Sequence, residues 1–173
     1  MAAKVFEHIN PGGTTDATTY LTPRWITDSL GPFDMDVAAS KERPWDIAKI
    51  CLVGEHAGGQ CGLKTPWRGF VWCNPPYSLR QGENKFIQKM ADHGNGLALV
   101  NVKTATVLWQ DIIFRHATTI LFLRKRVMFL TTAGEPTGGT FGNQCLIAFG
   151  NKAARRLAKL SQHGHLQEIS HDN

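Results

Sequence analysis

The chain lacks the features that identify secreted and membrane proteins. It has four cysteines in 173 residues and no C-x-x-C pair, which is too few for a disulfide scaffold. No apolar run approaches the roughly 18 residues that span a bilayer, and the first residues form neither an apolar signal segment nor a basic transit pattern. We therefore expect reduced thiols, no metal centre and a location in the cytoplasm.

Acidic residues are in the minority. Nineteen Lys and Arg stand against fourteen Asp and Glu, so the net charge is +5. This balance favours a polyanionic partner, although a basic protein without such a partner has the same composition. The length and the 42% of hydrophobic residues are sufficient for one globular domain with its own core.

Apolar runs typical of strands alternate with segments typical of helices. The predicted strands are 33–37, 47–53, 70–73, 97–102 and 119–123, and the predicted helices are 23–30, 83–92, 105–115 and 151–161. Segments 127–130 and 145–149 flank a connection rich in Gly, Pro and Thr, and we expect them to pair as antiparallel strands. This order predicts one α/β domain over residues 20–161, with a mostly parallel sheet and one antiparallel strand. A flexible lead-in, 1–19, and a disordered tail, 162–173, are predicted to flank it.

The most informative motif is Asn74-Pro75-Pro76-Tyr77, which follows the apolar run 70–73. In an open α/β sheet, ligands bind at the carboxyl ends of the strands. The prolines have no N–H donors, so backbone carbonyls and the Asn74 side chain can accept both hydrogens of a planar amine, and the Tyr77 ring can stack on a heterocycle. Such acceptors stabilise a nucleobase amine as it becomes tetrahedral. The structural alternative is a tight turn that only ends a strand.

Several segments, in this order, resemble the phage-type Dam family of DNA N6-adenine methyltransferases. They are Thr22-Pro23, the run from Phe33 to Ser40, Trp67 shortly before the N-P-P-Y motif, and the run from Phe122 to Phe129. The resemblance implies a Rossmann-like, S-adenosylmethionine-dependent methyltransferase fold. It also implies methylation of the N6 amine of adenine in DNA, with the base flipped into a pocket at the motif. For a phage-encoded protein, the location would be the cytoplasm of the bacterial host.

The N-P-P-Y motif is also found in other amino-methyltransferase families. Cytosine N4 in DNA, adenine in RNA and protein glutamine therefore stay open as methyl acceptors. A catalytically inactive DNA-binding module on the same fold is the alternative from another functional class. Cofactor binding separates this module from the enzymes.

Carried onto this sequence, the resemblance implies specific roles for residues near the predicted strand ends. The implied catalytic residues are Asn74, Pro75, Pro76 and Tyr77. The implied cofactor-binding residues are Thr22, Pro23, Asp36, Ala38, Ala39 and Ser40, and the small residues of the turn after Asp36 let backbone amides approach S-adenosylmethionine. The group that holds the cofactor's adenosine is not assigned, because Cys61 stands where the family has an acidic or amide residue, and Glu55 is a candidate.

Two basic groups are candidates for contacts with DNA phosphates. The first is the run Arg124-Lys125-Arg126, and the second is a face of the last predicted helix formed by Lys152, Arg155, Arg156 and Lys159. The second set recurs at helical spacing, so its members share one face. Solvated surface charge is the alternative interpretation of both groups.

Overall fold

A sheet of seven strands forms the centre of the part of the chain that the structure describes. The computed structural model describes residues 20–54, 58–76, 82–139 and 142–170. The strands are β1 (Phe33–Asp36), β2 (Ala48–Cys51), β3 (Val71–Cys73), β4 (Gly96–Asn101), β5 (Thr119–Leu123), β6 (Gln144–Phe149) and β7 (Gly164–Glu168). The α-helices are α1 (Arg24–Leu30), α2 (Gly82–His93), α3 (Phe114–His116) and α4 (Asn151–Leu157). A π-helical segment, Leu108–Ile113, leads into α3, and a 3-10 segment, Ala158–His163, continues α4.

The sheet is mixed, with the strand order β2-β1-β3-β4-β6-β5-β7. β1 lies parallel to β2 and β3, and β3 lies parallel to β4. β6 runs antiparallel to both of its neighbours, β4 and β5, and β7 runs antiparallel to β5. The predicted α/β class is confirmed. The predicted single antiparallel strand is wrong, because two strands, β6 and β7, oppose the other five.

The predicted pairing of segments 127–130 and 145–149 is also wrong. β6 is buried along its whole length, so it needs a strand on each side, and β4 and β5 provide these. In segment 127–130, the side chains of Val127 and Phe129 are buried in the core. Within the described residues, the backbone of this segment pairs only through isolated bridges at Leu130. The segment therefore packs over the sheet instead of joining it.

The chain beyond residue 162, predicted as a disordered tail, contributes the edge strand β7 instead. β7 pairs with β5 along its five residues. Gly164 permits the close approach at the start of this pair, because a Cβ atom there would lie 2.0 Å from the carbonyl oxygen of Phe122. Most of β7 is exposed, which accounts for the polar composition that suggested disorder. An edge strand tolerates such a composition because only one of its sides is paired.

The helices cover both faces of the sheet. α2 buries Phe86, Ile87 and Met90, as their spacing predicts, together with side chains of the π-helical segment. α1 and α4 contribute buried side chains to a second cluster. α1 begins one residue later than predicted, after Pro23, and ends as predicted at Gly31, whose N–H donates to a carbonyl of the last turn.

Five strands that run in the same direction end on one side of the sheet. This carboxyl edge comprises the residues that follow β1 to β5, which end at Asp36, Cys51, Cys73, Asn101 and Leu123. The opposite ends of the same strands form the amino edge. Because β6 runs the other way, α4 begins at the amino edge, and the chain returns through the 3-10 segment to start β7 beside the end of β5.

Candidate functional site

A pocket opens at the carboxyl edge, between the segment before α1 and the connection from β1 to β2. Its cavity volume is about 40 Å³, and the surrounding cleft is open to solvent. The carboxyl edge is where ligands bind in open α/β sheets. The residues that line it are Tyr20, Leu21, Thr22, Asp36, Ala38, Ala39, Ser40, Arg43, Trp45, Ile47, Trp72 and Asn74.

Half of this lining consists of residues predicted from the sequence. These are Thr22, Asp36, Ala38, Ala39, Ser40 and Asn74. Pro23, Pro75 and Pro76 are not part of the lining formed by the described residues, and Tyr77 lies outside those residues, as does Glu55. The structure thus brings the turn after β1 and the first residue of the N-P-P-Y motif to one cavity.

Asp36 is the buried carboxyl group of the pocket, with 8% of its surface exposed. One of its oxygens accepts the backbone N–H of Ala38 at 3.2 Å. Burial raises the pKa of Asp36 to about 7, against the opposing effects of this hydrogen bond and of the Arg43 guanidinium. The negative charge of Asp46 adds slightly to the increase. Asp36 is therefore poised to change its charge near neutral pH, and a cation in the pocket would favour the ionised form.

The turn after Asp36 is held by hydrogen bonds within the chain. The N–H of Ala38 donates to Asp36, and the N–H of Ala39 donates to the carbonyl oxygen of Leu52 at 3.1 Å. The Ser40 hydroxyl donates to a carbonyl further along the same connection. Two of the backbone amides expected to approach the cofactor therefore already donate within the chain. The turn shapes the pocket but offers a ligand few hydrogen-bond donors.

Gly62 packs closely against the backbone of this turn, at Val37. A Cβ atom on Gly62 would lie 1.9 Å from the carbonyl oxygen of Val37, so a larger residue cannot pack there. The carbonyl oxygen of Gly62 accepts hydrogen bonds from the indole N–H of Trp67 at 2.7 Å and from Lys89 Nζ at 3.1 Å. Trp67, one of the residues that carries the family resemblance, thus positions the loop behind the pocket.

Sequence reasoning missed the other half of the lining, which consists of Tyr20, Leu21, Arg43, Trp45, Ile47 and Trp72. Trp72 could have been found, because it stands two positions before Asn74 and alternate residues of an extended chain point to the same side. Arg43 and Trp45 lie in an irregular connection, where no periodic signal exists.

Trp45 joins the pocket to a loop on its rim. The Arg24 guanidinium lies over the Trp45 ring, 5.5 Å from its centroid. A Cβ atom on Gly134, which has a φ of +87°, would lie 3.0 to 3.2 Å from the same ring. The glycine thus lets the loop 131–136 approach the indole closely, and two backbone hydrogen bonds between Leu21 and Leu130 tie this region to the segment before α1.

A second carboxyl group, Glu83, lies at the start of α2 near the carboxyl edge. Its Oε1 atom is buried and has no hydrogen-bond partner among the described residues. The backbone N–H of Asn101 and the charge of Lys103 favour the ionised form, but burial outweighs them and raises the pKa of Glu83. Nothing in the sequence distinguishes this residue, because a glutamate in the first helical turn is usual on electrostatic grounds alone.

The first basic group lies on the same edge as the pocket. Arg124, Lys125 and Arg126 follow β5 and are exposed. Arg126 Nε donates to the Asn143 side chain at 3.2 Å, which orients this arginine. β5 shares the direction of β1 and β3, so this basic run and Asn74 emerge on one side of the sheet.

The second basic group is divided between different environments. Arg156 donates to the carbonyl oxygens of Leu30 and Pro32 at 2.8 and 2.9 Å, and its guanidinium lies over the Phe70 ring. Lys152 lies over the same ring. These contacts are at the amino edge, away from the pocket. The predicted common face is also interrupted, because α4 ends at Leu157 and Lys159 lies in the 3-10 segment.

A family model described as DNA N-6-adenine-methyltransferase (Dam) matches residues 15–168, which is most of the chain. Neither a curated protein nor a solved structure matches the chain. In the described ranges, the helices are too short or too polar to cross a membrane. No group of three or more His, Cys, Asp or Glu side chains in these ranges could hold a metal ion.

Proposed function

This chain belongs to the DNA N-6-adenine-methyltransferase (Dam) family, and we propose that it transfers a methyl group from S-adenosylmethionine to the N6 amine of adenine in DNA. One observation carries the proposal beyond family membership. Five of the six residues expected to hold the cofactor line the same pocket as Asn74, which is expected to hold the target amine. Methyl transfer requires the two sites to meet, because the acceptor nitrogen must approach the methyl carbon directly.

The chemistry of the pocket fits S-adenosylmethionine. This cofactor, when bound, supplies a methyl group on a positively charged sulfonium. The pocket offers a buried carboxyl group, Asp36, suited to a cation, and the partly exposed aromatic surface of Trp45, suited to a flat adenine ring. Thr22 adds a hydroxyl group that can donate to or accept from the cofactor, and the Ser40 hydroxyl, which already donates within its loop, can accept.

On the acceptor side, we assign Asn74 and Pro75 the task of making the adenine amine reactive. The Asn74 side-chain oxygen and the Pro75 carbonyl accept the two amine hydrogens, which favours a tetrahedral nitrogen with an available lone pair. The base reaches these acceptors by flipping out of the duplex, and Tyr77 stacks on it. Pro76 restricts the backbone of the motif.

Tritiated S-adenosylmethionine incubated with DNA, RNA or protein, followed by digestion to nucleosides or amino acids, tests the reaction. Label in N6-methyladenine of DNA is expected. Label in N4-methylcytosine, in RNA or in glutamine would contradict the acceptor assignment. A protein that binds DNA but neither binds nor consumes the cofactor would instead be an inactive binding module.

The variant Asn74→Ala tests the proposed catalytic role. We expect turnover to fall by at least about a hundredfold, because acceptor bonds to the amine matter most in the transition state. Cofactor affinity, measured by calorimetry, should stay nearly unchanged. Asn95→Ala at the amino edge is the matched control, since the Asn95 amide donates to the Gly69 carbonyl oxygen, far from the pocket. An Asn74→Ala variant with most of its turnover would contradict the role.

A further inference from the structure

The pocket contains one positive and one negative side chain. Of the residues that line it, Asp36 and Arg43 are charged, and the others are neutral. The two charges interact, because the Arg43 guanidinium helps to lower the pKa of Asp36 against the effect of burial. A ligand with both a cationic and an anionic group on one small fragment would match this pair.

The backbone of the turn does not provide the anionic half of such a site. The N–H groups of Ala38 and Ala39 already donate to Asp36 and to the Leu52 carbonyl oxygen. A ligand anion in this pocket therefore needs another donor, and Arg43 is the cationic one.

The Arg43 guanidinium is held in place while part of it stays free. Its Nε atom donates to Asp46 at 2.6 Å, and Nη1 donates to the Ser40 carbonyl oxygen at 2.7 Å. Nη2 makes no hydrogen bond to the residues that the structure describes. The side chain is 23% exposed, so it is partly shielded from water. An arginine fixed on one side by its own chain loses little further entropy when it binds a carboxylate on the other.

We propose that Arg43 binds the carboxylate of the amino-acid end of the methyl donor, with Asp36 on the side of its ammonium and sulfonium groups. The inference rests on the proposed function, because it concerns the same pocket. At neutral pH, S-adenosylmethionine carries its single negative charge on this carboxylate. Arg43 pairs with that charge, and a charge-assisted bond of this kind is among the stronger polar interactions in proteins.

Two ligands that differ only at the amino-acid end test this assignment. S-adenosylhomocysteine contains the carboxylate and ammonium, and 5′-methylthioadenosine lacks both. Calorimetry with the wild-type protein should give a clearly tighter Kd for S-adenosylhomocysteine. In Arg43→Gln, the affinity for S-adenosylhomocysteine should fall by about tenfold to a hundredfold, whereas that for 5′-methylthioadenosine should change less than about twofold. Arg43→Lys keeps the charge but not the planar fork of donors. Its affinity for S-adenosylhomocysteine should lie between those of the wild-type protein and Arg43→Gln.

Arg24→Gln is the matched control, because Arg24 lies over Trp45 but does not line the pocket. It should affect the two ligands alike. Binding of 5′-methylthioadenosine also reports that each variant is folded.

Three results would overturn the assignment of Arg43. Equal losses of affinity for both ligands in Arg43→Gln would show that Arg43 only stabilises the β1–β2 connection. An unchanged affinity for S-adenosylhomocysteine would remove Arg43 from the site, and equal wild-type affinities would remove the whole amino-acid subsite. In all three cases the methylation assay can still succeed, so they are distinguishable from failure of the proposed function, in which the wild-type protein binds neither ligand.

Discussion

The pKa values of two aspartates near opposite edges of the sheet are shifted in opposite directions. Asp34 and Asp36 stand two positions apart on β1. Toward the amino edge, Asp34 accepts from Lys49 Nζ at 2.8 Å and from the Phe70 N–H at 2.8 Å, and both interactions hold its pKa below the ordinary value. At the carboxyl edge, Asp36 is buried with a single backbone donor, and its pKa rises to about 7.

This difference separates residues that stabilise the fold from residues that cost stability. The amino edge satisfies its charged groups within the chain, as Arg156 does with two carbonyl oxygens. The carboxyl edge retains Asp36 and Glu83, whose charged forms are disfavoured by burial. Proteins keep such groups where a ligand or a reaction uses them. The comparison therefore supports the proposed site at the carboxyl edge on grounds other than the motif.

The largest expected effect comes from removing the charge of Asp36. Above pH 7, Asp36→Asn should raise the free energy of unfolding of the ligand-free protein by up to about 4 kcal/mol, which is the energy equivalent of the increase in pKa. The carboxamide keeps an acceptor for the Ala38 N–H without a buried charge. Cofactor affinity should fall at the same time. Urea unfolding at pH 8 measures the first effect and calorimetry the second.

The effect of Asp36→Asn on the free energy of unfolding should depend on pH. Because the pKa of Asp36 is higher in the folded state, its contribution to stability is fully present below about pH 4 and is lost as the pH rises to about 7. The difference in stability between Asp36→Asn and wild type should therefore be near zero at pH 4 and largest above pH 7. A difference that does not change with pH would contradict the raised pKa and with it the comparison of the two edges.

At the amino edge, Arg156→Met should have the opposite sign. The carbonyl oxygens of Leu30 and Pro32 lose their charged donor, so we expect a loss of about 2 kcal/mol in the free energy of unfolding. Urea unfolding measures it. Arg155→Met, an exposed neighbour on the same helix, is the control and should lose much less. Equal losses would show that Arg156 does not brace this edge.

The two basic groups should also differ in their response to DNA. Replacing Arg124, Lys125 and Arg126 with Gln should weaken DNA binding by about tenfold or more and lower the salt slope by up to about three. Replacing Lys152, Arg155 and Lys159 with Gln makes the same change of charge and should have a smaller effect. Fluorescence anisotropy at several salt concentrations compares them. A larger effect from the second set would place the DNA on the α4 side.

The smallest effect is expected for Asp34→Asn. The pair with Lys49 is mostly exposed and therefore contributes little, so the loss should be about 1 kcal/mol or less. It should shrink further at high salt, because screening weakens the pair. Urea unfolding at low and high salt measures this loss. A gain in stability, as expected for Asp36→Asn, would erase the contrast between the two aspartates.

The sequence was most informative where structure depends on local pattern. β3 and β4 are apolar runs and β1 alternates apolar and acidic residues, and the residues near Asp36 and Asn74 could be placed because parallel strands end together. β6 and β7 were mispaired or missed because pairing between distant segments leaves no local signal. Helical spacing predicted one basic face on the last helix, but it could not show that Lys159 lies in the 3-10 segment or that Arg156 meets two carbonyl groups. Arg43 depends on the path of an irregular loop, which has no period to read.

The placement of β6 sets a distance across the carboxyl edge. β4 and β6 lie between β3 and β5, so three interstrand spacings, about 14 Å in all, separate the end of β3 from the end of β5. This span is close to the width of the major groove of B-DNA, about 12 Å. If Asn74 holds an extruded adenine, Arg124 to Arg126 would meet a sugar–phosphate chain roughly one groove away. By separating β4 from β5, β6 would then set the distance between the two contacts of the protein with a duplex.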